Sequence, residues 1–284
     1  MEHARIAFVR YLNTRPLVEG LERLDSVELV PAAPSHIARL LVDNRADIGL
    51  ASLIDAARSP VPLRLIPSGM IGCDGPTLTV RLYSAVPFER VARLHADAES
   101  HTSVALARII LAERFGTHPG IVEFDARERI ELTGTRAQAE WPETLLLIGD
   151  KVVTDEPPAG RYPHQLDLGQ AWRDLTGFPF VYAVWMCREE DAACLGWLAA
   201  LLDRQLRHNL TRLDWIVRRR APEHRWPIDL ASRYLSSLMR YRVGERERLG
   251  AAEFLARAAA MGLAPRPARW ADPVGVRPAS PTLQ

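Results

Sequence analysis

Along the first two thirds of the chain, apolar positions fall in short runs that alternate between a strand-like and a helical period. Arg5 to Val9 is a compact run of strand formers, followed by the polar loop Tyr11-Leu12-Asn13-Thr14-Arg15-Pro16 and a helix start over Leu17 to Leu24. Ser35 stands as an N-cap before Ile37, Leu40 and Leu41, which sit at helical spacing. Asp47-Ile48-Gly49-Leu50 and Leu63 to Ile66 read as short buried strands. Thr77 to Ser84 sets Leu78, Val80 and Leu82 against Thr79, Arg81 and Tyr83, a period of two. Ser103 to Arg114 has the 3.6-residue period of a helix. Thr144 to Ile148, closed by Gly149-Asp150, and Phe178 to Met186 are apolar strands, the latter buried on both faces.

From Asp191 the pattern becomes helical, over residues 191–207, 211–220, 227–240 and 246–262, with Pro227 suited to a first helical turn. From about Ala264 the chain is rich in Pro and Arg and reads as a tail with little regular structure. Strands alternating with helices predict an α/β architecture with parallel strands. Two strand-helix series, at about 5–84 and 90–186, predict two lobes: 1–84 with 187–263, and 85–186, leaving 264–284 as the tail. A ligand in such a fold lies in the cleft between lobes, where strands end and helices begin.

The 284 residues suffice for one large domain or two lobes. Apolar residues make up 48% and charged residues 25%, the balance of a folded globular chain. A formal net charge of +1 supplies no global field for nucleic acid or an anionic membrane, so any anion site must be local and the expected partner is a small molecule. The opening MEHARIAFVRYL is broken by Arg10 and does not read as an export signal, and no run reaches membrane-spanning length; the expected location is the cytoplasm. Cys73, Cys187 and Cys194 have neither zinc nor CxxC spacing and read as reduced and mostly buried.

The sequence lacks the glycine-rich dinucleotide and phosphate-loop signatures, HExxH and GxSxG, and its eight histidines are scattered. Polar clusters at element ends remain. Asn13 offers both a donor and an acceptor, and Arg15 could grip a carboxylate, although the pair equally suits a helix start with a surface arginine. Asp74-Gly75-Pro76 forms a turn leading to Thr77 and Thr79, where a threonine also serves ordinary strand packing. Ser100-His101-Thr102-Ser103 opens a strong helix, a natural carboxylate site and also an ordinary N-cap. Gly149-Asp150 ends a strand, where an Asp positions a substrate hydroxyl or caps a turn. Asp167-Leu168-Gly169, Trp172 and Phe178-Pro179-Phe180 read as core packing, and Arg218-Arg219-Arg220 as a solvated helix end.

Taken together and in order, these blocks resemble the chorismate dehydratases of the futalosine route to menaquinone. Tyr11-Leu12-Asn13-Thr14-Arg15-Pro16-Leu17 is similar to that family's opening signature, and Leu147-Ile148-Gly149-Asp150 to a later block. Ala46 to Leu50, Asp74-Gly75-Pro76 with Thr79 to Leu82, Ser100 to Ser103, Asp167 through Trp185, Tyr234 through Tyr241 and Gly244-Glu245-Arg246 add to the resemblance, which spans about 5–263.

The resemblance implies a two-lobed periplasmic-binding-protein-like fold of type II. It also implies a hydro-lyase that turns chorismate into 3-[(1-carboxyvinyl)oxy]benzoate and water without metal or cofactor. It assigns Asn13 and Thr79 as catalytic, and Tyr11, Arg15, Ser52, Ser100, Thr102, Ser103, Gly149 and Asp150 as substrate-binding. At two positions the chain departs from the family pattern: Thr79 stands for Ser and His101 for Arg. The alternative is a non-catalytic binding protein or sensor on the same fold, which turnover of chorismate distinguishes.

Overall fold

The computed structural model describes residues 3–97, 100–124, 141–158 and 160–271. The strands are β1 (Ala4–Phe8), β2 (Val27–Pro31), β3 (Ile48–Ser52), β4 (Leu63–Cys73), β5 (Val80–Ser84), β6 (Arg93–Asp97), β7 (Gly120–Phe124), β8 (Thr144–Ile148), β9 (His164–Asp167), β10 (Phe180–Arg188), β11 (Met239–Arg240) and β12 (Arg269–Trp270). The α-helices are α1 (Arg15–Val18), α2 (Pro34–Val42), α3 (Asp55–Arg58), α4 (His101–Phe115), α5 (Lys151–Thr154), α6 (Leu168–Thr176), α7 (Gly196–Thr211), α8 (Leu213–Arg220), α9 (Ile228–Arg233) and α10 (Glu245–Ala260). A single π-helical turn, Tyr234–Leu238, follows α9. Among the described residues, no helix is long and apolar enough to cross a membrane.

Two sheets form the two lobes. The first runs β11-β4-β10-β3-β1-β2 with β12 added beside β4, and the second runs β7-β6-β8-β5-β9. Their plans match. In the first, β1 is parallel to β2 and β3, while β10 lies antiparallel between β3 and β4. In the second, β6 is parallel to β7 and β8, while β5 lies antiparallel between β8 and β9. The expected all-parallel sheets are therefore mixed, because each lobe takes one strand from a chain crossing back from the other.

The same exchange moves the expected lobe boundaries. β5 was expected to close the first lobe and β10 the second, yet β5 pairs in the second sheet and β10 in the first. The crossovers fall before these strands, not after residues 84 and 186. A strand in sequence reads as continuing the series it follows, and nothing in its own pattern says which sheet it will join.

Local chemistry explains other departures. The expected Leu17–Leu24 helix is cut to the single turn α1, because Gly20 adopts φ +92°, a left-handed conformation available to glycine at little cost. Pro34 supplies the first turn of α2, so Ala33 stands at its N-cap position where Ser35 was expected. Beyond Ala264 the chain wraps the first lobe: Arg266 Nη1 donates to the Ser59 and Pro60 carbonyls (3.0 Å each), and β12 pairs with β4. Residues 272–284 of the expected tail lie outside the described residues.

The core is continuous through the first lobe and over the junction. Trp172 of α6, Phe180 of β10 and Phe254 of α10 are almost fully buried and meet edge to face, with ring centroids 5.1–6.2 Å apart. Cys73 and Cys187 are buried, and burial pushes both thiols up to about 12; Cys194 is exposed. Arg218 and Arg219 are exposed as expected, but Arg220 is not a solvated helix end. Its guanidinium forks onto the buried Glu19 carboxylate (2.7 and 2.8 Å) and also reaches Glu223 (2.9 Å), tying α8 to the end of α1. Removing one member of a buried pair strands the other charge, so Arg220→Ala should cost roughly 3–5 kcal/mol in urea unfolding. A loss below about 1 kcal/mol would mean that Glu19 is already solvated, as an exposed pair would be.

Candidate active site

The site begins where β1 ends. Residues Leu12–Thr14 form a 3-10 turn, and Thr14 Oγ1 lies within hydrogen-bonding distance of the Val9 and Tyr11 carbonyls (2.7 and 2.8 Å). That brace directs Asn13 inward, where it is 8% exposed. Its amide Nδ2 donates to the Tyr234 hydroxyl at 3.1 Å, while Oδ1 is buried with no hydrogen-bond partner among the described residues.

Thr79 arrives from the first crossover. Leu78, just before it, has φ +70°, a left-handed conformation that costs an L-residue of this size roughly 1–3 kcal/mol. Asp167 holds this turn: its carboxylate accepts the N–H groups of Thr77 (2.9 Å) and Leu78 (2.7 Å) and also caps α6 through Gly169 and Gln170. Thr79 is buried, with its Oγ1 2.7 Å from the same Tyr234 hydroxyl that receives Asn13.

The second lobe supplies the opposite wall. Ser100 is the N-cap of α4: its Oγ accepts the Ser103 N–H (3.2 Å) and donates to Ser103 Oγ (2.7 Å). Capping and site-lining are therefore both true of Ser100. The positive end of a fifteen-residue helix lies beside these hydroxyls, an environment that favours an anion. Gly149 adopts φ +68°, and a Cβ added there would come within 2.8 Å of the Tyr11 ring, so glycine lets the two lobes touch.

These pieces line one cleft between the lobes, a concave position of the kind small molecules occupy. Asn13, Thr79, Tyr11 and Ser52 border it, and so do Ser100, Ser103 and Gly149. Among the described residues lining the cleft there is no lysine or arginine, so a bound anion would meet hydroxyls, amides and the α4 terminus.

The other three residues nominated from the sequence, Thr102, Asp150 and Arg15, stand outside that lining, and the first two reach across the lobes. Thr102 Oγ1 accepts the Ile54 N–H from the first lobe (3.2 Å), and next to it His101 Nδ1 meets the buried Asp55 carboxylate (2.7 Å). The position that departs from the family's Arg thus makes an inter-lobe pair. Asp150 accepts the Leu12 N–H (3.1 Å) and meets His224 Nδ1 (2.8 Å), whose Nε2 takes the Arg15 Nε–H (3.3 Å). Burial, reinforced by nearby Arg220, lowers the Arg15 pKa. Its Nε is committed to His224, and Arg15 is not among the residues lining the cleft.

Sequence reasoning passed over Tyr182 and Tyr234 as site residues and named Thr77 only within the turn leading to Thr79. Thr77 and Tyr182 line the cleft and share a hydrogen bond of 2.7 Å. Tyr182 lies in an apolar strand and Tyr234 in a helical pattern, and in both settings an aromatic reads as core.

Two α/β lobes joined by a double crossover, with hydroxyls and a helix terminus facing into the cleft between them, define a protein of the periplasmic-binding-protein-like class. Solved structures of this class are similar along nearly the whole chain. One is a protein of Archaeoglobus fulgidus (TM-score 0.72, 14% identity, covering 92% of this chain and 98% of that one). Another is the alkanesulfonate-binding protein of Xanthomonas axonopodis pv. citri, bound to MOPS (TM-score 0.67, 12% identity, 94% and 95%). At these identities the likeness concerns the fold. Residues 4–260 match the model of a family described as menaquinone biosynthesis, and the protein belongs to that family. It is also 30% identical over 272 residues to the chorismate dehydratase of Thermus thermophilus, covering 89% of this chain and 93% of that protein.

Proposed function

We propose that the protein is a chorismate dehydratase, a hydro-lyase that converts chorismate to 3-[(1-carboxyvinyl)oxy]benzoate and water. The observation that carries this reading is the meeting of Asn13 and Thr79 on one buried hydroxyl at the wall of a cleft whose far side is the N-terminus of α4. The whole-chain similarity to a chorismate dehydratase supports it.

The chemistry suits this set of groups. The C3–H bond breaks and its electron pair becomes a ring double bond as the C4–O bond breaks. The proton from C3 ends on the departing hydroxide as water. No electrons leave the substrate, and aromatisation drives the step, so the protein's task is orientation and hydrogen bonding. Thr79 hydrogen-bonds the leaving hydroxyl or the enolpyruvyl carboxylate, and Asn13 holds the ring substituents. Neither is a strong base near neutral pH, and a carboxylate of the substrate takes the C3 proton. Ser100, Ser103 and the α4 terminus receive the other carboxylate, while Thr102 and Asp150 favour the closed lobes that exclude water.

Incubating the purified protein with chorismate tests the reading directly: an aromatic product lighter by one water should accumulate with multiple turnovers. Binding without turnover would instead favour a sensor. Thr79→Ser keeps the hydroxyl and should stay within several-fold of the parent. Thr79→Val keeps the branched shape, loses the hydroxyl, and should lower kcat about 100-fold, the scale seen when a preorganised hydrogen-bonding group is removed. A fully active valine variant would show that the hydroxyl is dispensable.

A further inference from the structure

We infer that Tyr234 is a positioning residue that sets the hydrogen-bonding polarity of Asn13 and Thr79, making Asn13 Oδ1 the acceptor and the Thr79 hydroxyl the donor toward substrate. The inference rests on the dehydratase reading of those two side chains. Its basis is one shared atom. The Tyr234 hydroxyl receives Asn13 Nδ2–H at 3.1 Å and lies 2.7 Å from Thr79 Oγ1. Asn13 belongs to the first lobe and Thr79 to the crossover, so a single group brings them into register.

Hydrogen-bond counting gives the directions. The asparagine amide has two faces, and the Tyr234 contact takes its donor side, which leaves Oδ1 buried and without a partner among the described residues. A phenol carries one proton. Asn13 donates to the phenolic oxygen, and Thr79 Oγ1 is the acceptor within reach of the buried phenol proton among the described residues; that proton is assigned to Thr79, whose own proton then faces the cleft. The leaving hydroxyl of the substrate then meets a donor on its lone pair and an acceptor for its proton. Burial raises the Tyr234 pKa, so the phenol stays protonated and neutral throughout the working range.

The fold holds this hydroxyl firmly. Tyr234 is fully buried, its ring stacks on Trp226 with centroids 4.8 Å apart and planes 19° from parallel, and it opens the π-helical turn Tyr234–Leu238. A π turn interrupts the regular helical ladder and is frequent at functional sites. Here it ends by delivering Met239 to β11 and to the cleft wall.

Tyr234→Phe tests the inference, since it keeps the ring and the stack and removes only the hydroxyl. The expected result is a fall in kcat of about 10- to 100-fold with KM within about threefold. Leu202→Ala is the structural comparison: it opens a cavity in the core behind α7, lies outside the cleft lining and the Trp226 stack, and should lower the melting temperature with kcat within about threefold. Both are assayed well below their melting temperatures. Tyr234→Phe with at least half the parent kcat would overturn the inference, and so would equal kcat losses in the two variants. Asn13→Ala separates the two levels of failure. An inactive Asn13→Ala beside an active Tyr234→Phe removes only the role of Tyr234, whereas an active Asn13→Ala removes the reading on which it rests.

Discussion

Replacing Asn13 with alanine should lower turnover of chorismate by about 10²–10³-fold while the protein stays folded. The expected loss is large because, on the proposed reading, the side chain has two tasks. Its Nδ2 anchors it to Tyr234, and its Oδ1 is a buried acceptor held ready for substrate. Water in the open cleft would compete for substrate hydroxyls, but a fixed acceptor needs no reorganisation as the C4–O bond breaks. Stability should change little. The substitution removes one neutral hydrogen bond, worth about 1 kcal/mol, and the 3-10 turn keeps its brace from Thr14. At this chain length that corresponds to a melting shift of about 2 °C. Stopped product formation together with a native melt is the outcome that places Asn13 in the chemistry. Near-parental kcat would remove it.

Much of the fold was legible because period and composition agreed locally. Thr144–Ile148 is an unbroken apolar run closed by Gly-Asp and forms β8 over those same residues. Ser103 to Arg114 lies within α4, and Ser100, three residues ahead, caps it. What local pattern could not carry was partnership. β5 and β10 read correctly as strands and incorrectly as lobe members, because sheet assignment depends on where the crossover directs the chain. Strands β6 (RLHAD) and β9 (HQLD) went unread because each is short and holds only one or two apolar residues, too few to mark a period.

The site divides along the same line. Residues at strand ends and helix starts could be nominated, since backbone termini and small polar groups make such positions suited to ligands. Asn13, Thr79, Ser100, Ser103 and Gly149 do meet around one cleft. Thr102 and Asp150 carry the same local marks yet spend their oxygens on the opposite lobe, a choice fixed only when Ile54, Leu12 and His224 arrive from distant parts of the chain. Arg15 is diverted in the same way by His224. Tyr234 shows the reverse: an aromatic in a helical stretch carries no local sign that its hydroxyl will sit between two polar side chains. Polar chemistry was readable where it sits at the end of an element and unreadable where tertiary packing creates it.

Asp167→Ala should damage stability and turnover together, costing about 4 kcal/mol of stability and about 100-fold in kcat. The stability loss combines two effects. A helix cap is worth about 1 kcal/mol, and hydrogen bonds to a charged acceptor are each worth about 1.5–3 kcal/mol, the lower value applying to a half-buried carboxylate such as Asp167. Asp167 makes both kinds, capping α6 while receiving the Thr77 and Leu78 N–H groups. Without it the left-handed Leu78 has less to hold it, and relaxation of that residue toward ordinary backbone angles would carry Thr79 out of line with Tyr234. A displacement near 1 Å at a reacting group costs about 100-fold. Asp167→Asn should fall between, because its single carbonyl oxygen can serve the cap or the crossover but not all four N–H groups. Urea unfolding and steady-state kinetics on the two variants separate the contributions. If Asp167→Ala were destabilised as expected but kept full kcat, the cap would matter and the crossover would hold Thr79 without it. Parental values in both measurements would mean that the carboxylate holds neither.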